Sequence, residues 1–217
     1  MATKKHPYDQ WCPDARALDV IGDKWTLLIV RDLLDRPVRF VDLQGRLPGI
    51  STEQLRSRLN TMVEAGLLTR ERFREVPPRV DYSLTESGRA LIPVLGAVAR
   101  WGQAFAWGTP RPGEAFDLAA MFRLVPALLT PAKAIKGTVS LIADDDVATV
   151  TIQHGVVTVS DDYTVDADAI VTGSDDDWVL ALGAGDRSEL IVTGSSLGGL
   201  VLDALAGASV TELRQAA

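Results

Sequence analysis

The sequence has very few of the residues from which metal, disulfide and nucleophilic sites are usually built. It contains one cysteine, Cys12, and two histidines, His6 and His154, among 217 residues. A single cysteine excludes an internal disulfide framework and a cysteine-based structural zinc site, and the two separate histidines leave almost nothing to bind another metal. We therefore expect neither a metal nor a cofactor.

Long apolar runs are also absent. No stretch approaches the roughly 20 apolar residues that a membrane-spanning helix needs, and no apolar signal-peptide core follows the first residues. With 47% hydrophobic and 24% charged residues, the composition is that of an ordinary globular protein. We expect a cytoplasmic protein with no membrane partner.

Catalytic motifs are equally scarce. The serines that lie near glycines, at Gly173-Ser174 and at 194–196, do not form a G-x-S-x-G elbow. The acidic triplets 144–146 and 175–177 lack the spacing of a calcium loop. We expect solvated charge at both triplets and no enzymatic activity.

Charge divides the chain into two parts of opposite sign. Residues 1–113 hold seventeen Lys and Arg against thirteen Asp and Glu, whereas the remaining residues hold five against sixteen. Fourteen of the first seventeen are arginine, the better residue for contacts to phosphates and base edges. The sequence therefore predicts two modules, of which only the first is suited to approach a polyanion.

The first half predicts short helices followed by a capped helix and a hairpin. Ser51 and Gln54 have the spacing of a capping box, and Gly66 supplies the stop, so the helix should cover 52–65. Two alternating stretches on either side of a proline-containing loop predict a β-hairpin that carries arginines near its tip. Thr85 then begins a long apolar helix that runs towards Trp107.

This order of elements suits DNA binding, because the major groove is wide enough for one α-helix and a hairpin beside that helix can reach the adjoining backbone or minor groove. For any single candidate, a solvated position on a small basic domain remains the alternative. We expect Gln54, Ser57, Arg58 and Thr61 to read bases, Arg70, Arg72, Arg74 and Arg79 to contact phosphates, and Arg39, Ser51, Thr52 and Arg56 to contribute to the same interface.

The long helix that follows the hairpin carries more apolar surface than so small a domain can cover. A partner helix in a homodimer would bury this surface. The alternative is that the second domain covers it. The candidate dimerisation residues are Leu91, Leu95, Val98, Trp101 and Phe105.

Residues 10–108 contain a series of ordered motifs, which begins with Cys12-Pro13 and Leu18 to Thr26 and ends with Val76 to Thr85. This series resembles the HxlR family of bacterial winged-helix regulators, relatives of the MarR group. The resemblance implies a homodimer, formed through the first and last helices of the domain, on a pseudo-palindromic operator. Asp23 stands where family members often have a second glycine, but aspartate is also acceptable at a helix start. The motifs are Cys12-Pro13, Leu18 to Thr26, Arg39 to Leu43, Leu47 to Ser51, Leu55 to Leu59, Glu64 to Arg70 and Val76 to Thr85.

The second half predicts an α+β module with an apolar helix over 116–129, a tight turn at His154-Gly155 and a last helix that Ser196 caps and that runs to Leu205. Its stretches 150–159, 167–173 and 191–194 resemble the sterol carrier protein fold. That resemblance implies an apolar tunnel for a lipid-like or other hydrophobic small molecule, although apolar residues at helical spacing are more often plain core. The candidate lining residues are Phe116, Met121, Phe122, Leu124, Leu128, Trp178, Leu182, Leu197, Leu200 and Leu205.

Cys12 is a separate candidate, because some relatives of the resembled family sense oxidants through a cysteine at this place. Pro13 would begin a helix there, and a helix N-terminus lowers the pKa of a thiol. The neighbouring Asp9 and Asp14 act in the opposite direction, and a packed, inert thiol is the alternative.

Together these features predict an α+β chain with an N-terminal winged helix-turn-helix domain (1–108), a linker (109–115) and a C-terminal sterol-carrier-like domain (116–217). We expect a homodimeric transcription regulator that binds double-stranded operator DNA and responds to a hydrophobic small-molecule effector. The alternatives are a lipid or small-molecule carrier or sequestration protein, and a regulator that senses redox state through Cys12.

Overall fold

The computed structural model describes residues 7–74, 79–108, 110–114 and 117–207. The chain divides into two compact units, Met1–Ile92 and Pro93–Ala217. The second unit begins in the first turn of a helix, Ile92–Phe105, and the linker 109–115 stays a prediction.

The first unit combines helices with a small antiparallel sheet. Within the described residues, β3 is the central strand and pairs with β1 on one side and with β2 on the other. Strands β2 and β3 form the predicted hairpin, which we call the wing, whereas β1 is too short to show an alternating pattern in the sequence. The elements are α1 (Pro13–Ile21), α2 (Thr26–Asp32), β1 (Val38–Arg39), α3 (Phe40–Arg46), α4 (Thr52–Glu64), β2 (Leu68–Phe73), β3 (Arg79–Leu84) and α5 (Glu86–Arg89).

Helix α4 is fixed at both ends, as its local sequence predicts. The Ser51 hydroxyl accepts a hydrogen bond from the Gln54 N–H at 3.1 Å, and the Gln54 side-chain oxygen accepts from the Ser51 N–H at 3.0 Å. At the other end Gly66 has a φ of +74°. The Leu67 N–H then reaches back to the Met62 carbonyl at 2.9 Å, which satisfies a helix-end carbonyl as in a Schellman motif. The predicted capping box and glycine stop are confirmed.

The long helix expected after Thr85 is instead two helices. The Thr85 hydroxyl accepts a hydrogen bond from the Gly88 N–H at 3.1 Å and caps the short α5. A second helix, α6 (Ile92–Phe105), begins after a break at residues 90–91. Pro93 lies in the first turn of α6, where a missing N–H breaks no hydrogen bond. The proline therefore belongs to a new helix rather than to a bend in a continuous one.

The second unit is built on a mixed sheet. Within the described part of the chain, the strand order is β6-β5-β4-β7-β8, with β4 parallel to β7 and the other pairs antiparallel. The single helix expected at 116–129 is two short ones. Besides α6, the elements are α7 (Leu118–Phe122), α8 (Val125–Leu128), β4 (Gly137–Ile142), β5 (Val147–Gln153), β6 (Val156–Ser160), β7 (Ala169–Thr172), α9 (Asp175–Val179), a π-helical turn (Leu180–Ala184), β8 (Ile191–Gly194) and α10 (Leu197–Ala206).

The turn between β5 and β6 follows the sequence prediction. His154 and Gly155 have φ values of +53° and +82°. Two successive residues with positive φ are the requirement of a two-residue type I′ hairpin turn. The predicted tight turn at His154-Gly155 is confirmed.

The start of α10 differs from the prediction that Ser196 caps it. Ser196 already has helical dihedral angles, φ −63° and ψ −7°, and its side chain makes no capping hydrogen bond. Its neighbour Ser195 accepts instead, from the Leu197 N–H at 3.4 Å. Gly194, with φ +85°, turns the chain one residue earlier than the sequence pattern suggests.

The two faces of the second sheet differ in chemistry. Alternate residues such as Val139, Leu141 and Val171 are fully buried in one apolar core with helix residues. On the opposite face the Ser140 hydroxyl donates to the Thr164 carbonyl oxygen at 2.9 Å, so the connection from β6 to β7 crosses that face. The helices therefore cover one side of the sheet, and the core lies between them and the strands.

Helix α6 is hydrogen-bonded to the rest of the second unit. Two side chains of α6 and one side chain just after the helix donate hydrogen bonds to main-chain carbonyl oxygens. The acceptors lie in the last turn of α8, in the π-helical turn and in the last turn of α10. Carbonyls at helix ends lack the usual helical partner and are available as acceptors. These hydrogen bonds run from Arg100 Nη1 to Ala127 at 3.3 Å, from Gln103 Nε2 to Leu205 at 2.7 Å and from Trp107 Nε1 to Leu182 at 3.0 Å.

Membrane-spanning helices and clusters of metal-binding side chains are both absent from the part of the chain that the structure describes. None of its helices combines the length and the apolar character needed to cross a bilayer. No group of three His, Cys, Asp or Glu side chains is arranged as a metal site there.

The packing of α6 on α8 leads to a stability prediction. A Cβ atom added at Gly96 would collide with the Ala127 carbonyl oxygen, whereas one added at Gly102, on the same helix, would meet nothing within 4 Å. Gly96→Ala should therefore lower the free energy of unfolding by about 1 to 3 kcal/mol. Gly102→Ala, the matched control, should raise it by up to about 1 kcal/mol through lower backbone entropy in the unfolded chain. Urea unfolding followed by circular dichroism measures both, and equal effects of the two variants would contradict this packing.

Candidate nucleic-acid interface

Helix α4 presents a hydrogen-bonding surface on the side opposite its buried stripe. Leu55, Leu59 and Met62 are buried, and the residues between them point outwards. Two acids and one arginine occur on the exposed side, so this surface carries a net negative charge and is suited to hydrogen bonding rather than to the attraction of an anion. We call it the α4 face; it consists of Glu53, Arg56, Ser57, Asn60 and Glu64.

Ion pairing and hydrogen bonding within α4 order several of the predicted DNA-contacting residues. Arg56 Nη1 lies 3.2 Å from a Glu53 carboxylate oxygen on the helix surface. The hydroxyl of Thr61, which is half-buried, donates to the Ser57 carbonyl at 3.0 Å. Thr61 is therefore less accessible than Ser57.

The start of α4 is exposed and its polar side chains are engaged locally. Ser51, Thr52 and Gln54 are all exposed. The first and last of these form the capping box, and the Thr52 hydroxyl accepts from the Gln44 amide at 2.8 Å. The bonds fix the end of the helix while its side chains stay at the surface.

The wing supplies the positive charge that the α4 face lacks. Arg70, Arg72 and Arg74 are exposed on β2 and just beyond it. Arg70 Nη1 lies 3.5 Å from the Asn60 side-chain oxygen, so the wing and the α4 face form one continuous surface. Arginines beside a helix with exposed donors and acceptors are the arrangement that phosphate contacts beside a major-groove helix require.

Arg79, the fourth predicted phosphate contact, forms an ion pair within the wing. Its Nε lies 2.8 and 2.9 Å from the two carboxylate oxygens of Asp81, which is buried. The hydrogen bond from Arg79 lowers the pKa of Asp81, and the charge of Arg39 contributes in the same direction. The guanidinium also lies 5.1 Å from the ring centroid of Phe73. Arg79 thus stabilises the end of the wing nearest the connecting loop, where it pairs with Phe73 across the two strands, while Arg39 is exposed at the start of α3.

Arg58, the predicted base-reading arginine, has an intramolecular partner. Its Nη1 lies 3.1 Å from Oδ2 of Asp23, and both side chains are largely shielded from solvent. The sequence alone indicates no more for Asp23 than an acceptable residue at a helix start. The pair links the loop before α2 to the middle of α4, and no local sequence signal predicts it because the two residues are far apart in the chain.

The candidate dimerisation residues do not all lie on the same side of α6. Leu95 is buried and Leu91 is half-buried, whereas Val98, Trp101 and Phe105 are 51%, 62% and 55% exposed. The Trp101 and Phe105 rings lie 5.8 Å apart. Together with Val94, which is also exposed, these three residues form a row at helical spacing that we call the α6 stripe.

The predicted ligand-lining residues lie mainly in the packed core of the second unit. The Phe122 and Trp178 rings meet edge to face at 4.9 Å, and Trp178 Nε1 donates to the Ile142 carbonyl at 2.8 Å. Leu182 and Leu205 are buried in the same core. Met121, Leu128, Leu197 and Leu200 are partly buried against it, Leu124 is half-buried, and Phe116 lies outside the described residues.

Cys12 is half-buried immediately before α1. Its Sγ lies 3.9 Å from the Gln10 side-chain oxygen, and it lines a surface pocket together with Trp11, Pro13 and Arg16. A hydrogen bond from the Cys12 side chain lowers the pKa of Asp14. The thiol therefore acts as a donor to the Gln10 amide oxygen and to the Asp14 carboxylate, and its reactivity stays a prediction.

Comparison with known proteins identifies the first unit. Residues 20–109 match the family described as HxlR-like helix-turn-helix. An HTH-type transcriptional regulator of Methanothermobacter thermautotrophicus is 38% identical over 103 residues, which are 48% of this chain and 79% of that protein. The chain belongs to the HxlR family. The winged helix-turn-helix domain predicted from the sequence is thereby confirmed.

A second relative and a solved structure are also similar to this chain. The HTH-type transcriptional regulator YvaP of Bacillus subtilis is 36% identical over 102 residues, which are 46% of this chain and 93% of that protein. A crystal structure of a MarR-family regulator from Porphyromonas gingivalis is 35% identical and covers 45% of this chain and 95% of that one, with a TM-score of 0.43. The family match ends at residue 109, so most of the second unit lies outside it.

Proposed function

We propose that this protein is a DNA-binding transcription regulator that acts as a homodimer and responds to a hydrophobic effector. The observation that carries the proposal is the continuous surface formed by the α4 face and the arginines of the wing. The relatives are named as transcriptional regulators and not as enzymes, which supports both the DNA-binding role and the expected lack of enzymatic activity.

The two parts of this surface have different roles in DNA binding. Helix α4 has 13 residues, about 20 Å, and its exposed side chains are donors and acceptors of the kind that read base edges in the major groove. The wing arginines Arg70, Arg72 and Arg74 would contact phosphates, which fix the orientation of the domain but carry no sequence information. Specificity thus resides in α4, and most of the salt-dependent affinity resides in the wing.

The α6 stripe supports the homodimer. Four large apolar residues in a row at helical spacing remain exposed in the single chain, although the opposite side of α6 packs on the rest of the second unit. A second copy of the same helix would bury this row, as expected of an isologous interface. Two copies would then present two α4 helices to half-sites about one helical turn apart.

The second unit is our candidate for the effector-binding part. Its five-stranded sheet with helices over one apolar face supports the sterol-carrier-like interpretation and a hydrophobic ligand class. Three hydrogen bonds join α6 to the ends of elements that cover this core. An effector that moved those ends would also move α6, and it would alter DNA affinity if it bound the two arrangements unequally.

DNA binding through the wing leads to a prediction about salt dependence. Arg72→Ala and Arg74→Ala should each weaken binding to operator and unrelated DNA alike, because each removes one phosphate contact. Each should also reduce the slope of log affinity against log salt by about one. Fluorescence anisotropy on the DNA upstream of the protein's own gene measures this.

Arg111→Ala is the matched control, because Arg111 is an exposed arginine that is paired with Glu114 outside the proposed interface. Slopes for Arg72→Ala and Arg74→Ala that equal those of the wild type and of this control would show that the wing does not contact DNA. In that case a carrier or sequestration protein becomes the better interpretation.

Dimerisation through the α6 stripe is tested with a charge. Val98→Glu should convert the dimer to a monomer and lower operator affinity at least tenfold, because a carboxylate would be buried without a partner. The fold should persist, since Val98 is exposed in the single chain. Val165→Glu, at another exposed valine of the second unit, is the control. Sedimentation equilibrium decides, and a Val98→Glu variant that remains dimeric contradicts the interface.

The effector hypothesis is tested with long-chain fatty acids and sterols. We expect at least one of them to raise the melting temperature of the protein and to change its operator affinity by fivefold or more, a typical coupling magnitude. If compounds that bind the protein leave its DNA affinity unchanged, the second unit does not regulate DNA binding through its ligand.

A further inference from the structure

The pair formed by Asp23 and Arg58 lies at the edge of the proposed DNA-contacting surface. Arg58 is on α4, between the buried residues Leu55 and Leu59 and next to the exposed Ser57. Its Nη1 lies 3.1 Å from Oδ2 of Asp23, and the two side chains are 28% and 18% exposed. The guanidinium is therefore held at the flank of α4 rather than free to sample solvent.

Asp23 is itself held firmly in place. Its Oδ1 accepts hydrogen bonds from the N–H groups of Trp25 at 2.8 Å and Thr26 at 3.1 Å, and its Oδ2 accepts from the Thr26 hydroxyl. Thr26 is fully buried. One carboxylate thus joins the start of α2 to the middle of α4 and presents a fixed acceptor to Arg58.

An arginine held in this way is suited to reading a base. A guanidinium carries five N–H donors in a planar fork, so pairing with Asp23 leaves other donors for a second partner. In the major groove, the geometry of the fork matches the two acceptors of guanine. Fixing the side chain before DNA binds lowers the entropy that binding would otherwise lose.

We propose that Asp23 is a positioning residue that holds Arg58 for the recognition of one G·C base pair in each operator half-site. The proposal rests on the proposed function, because it needs α4 to lie in the major groove. Asp23 itself does not touch DNA. It acts through Arg58 alone, and its effect is on sequence preference rather than on overall affinity.

Removing the charge of Asp23 should change the preference for the G·C base pair and the overall affinity for DNA in different directions. Asp23→Asn keeps a side-chain oxygen that can accept from the Trp25 and Thr26 N–H groups, since asparagine and aspartate serve equally at helix starts. The variant gains one unit of positive charge and should bind unrelated DNA as tightly as the wild type or more tightly. Its preference for the G·C pair should fall, because Arg58 is no longer fixed.

The experiment measures operator binding of Asp23→Asn, Arg58→Ala and the double variant against a set of operators with each base pair replaced in turn. We expect Arg58→Ala to lose preference at one G·C pair by about tenfold or more. Asp23→Asn should lose several-fold at the same pair, and the double variant should lose no more than Arg58→Ala. Urea unfolding of each variant reports any loss of stability.

Two further variants serve as controls. Asp42→Asn removes the same charge from an exposed first-turn position of α3 and should raise affinity for all DNA without changing preference. If Asp23→Asn fails to fold, Asp23→Ser replaces it, because serine still caps a helix start but is too short to reach Arg58.

The outcomes distinguish the two levels of the proposal. Wild-type preference in Asp23→Asn, together with lost preference in Arg58→Ala, overturns the positioning role and leaves the DNA-binding surface intact. Wild-type preference in both variants overturns the base contact of Arg58 and the positioning role with it. Lower stability and uniformly weaker binding in Asp23→Asn, with preference unchanged, would show that Asp23 only supports the fold.

Discussion

The burial of one side of α4 is the constraint on which the proposed function depends. Leu55, Leu59 and Met62 fix which side of the helix faces the interior, and hydrogen bonds at both ends fix where the helix begins and ends. Because that side is buried, the opposite α4 face is exposed, and no further interaction is needed to keep it at the surface. The wing extends this face through the contact of Arg70 with Asn60 and brings positive charge beside it.

Local charge, not net charge, determines what this chain can bind. The whole protein carries a formal charge of −7, which alone would argue against a DNA-binding role. The negative charge is concentrated in the second half, and the arginines of the first half are exposed along the wing. Helix α6 contributes both to the proposed dimerisation and to the proposed response to an effector. Its exposed stripe would face a second copy of the chain, and its polar side chains donate hydrogen bonds to the rest of the second unit.

Features governed by neighbouring residues could be predicted from the sequence, and features governed by distant contacts could not. The capping box at Ser51 and the turn at His154-Gly155 need only a few adjacent residues, and both are present as predicted. The partner of Arg58 depends on the tertiary fold, so the sequence indicated a base-reading arginine but not its carboxylate. The absence of a cap at Ser196 has the same cause, since the turn at Gly194 is held by a distant hydrogen bond, from the Ser195 N–H to the Asp168 carbonyl at 2.8 Å.

Hydrogen exchange with and without DNA tests the central claim most directly, because it identifies the contacting surface without substitutions. With the DNA upstream of the protein's own gene at low salt, the amides of α4 and of strand β2 should exchange more slowly, whereas those of β4 and β5 should be unaffected. Slower exchange confined to the second unit, or no change anywhere while DNA is bound, would contradict the assignment of α4 and the wing as the DNA-binding surface.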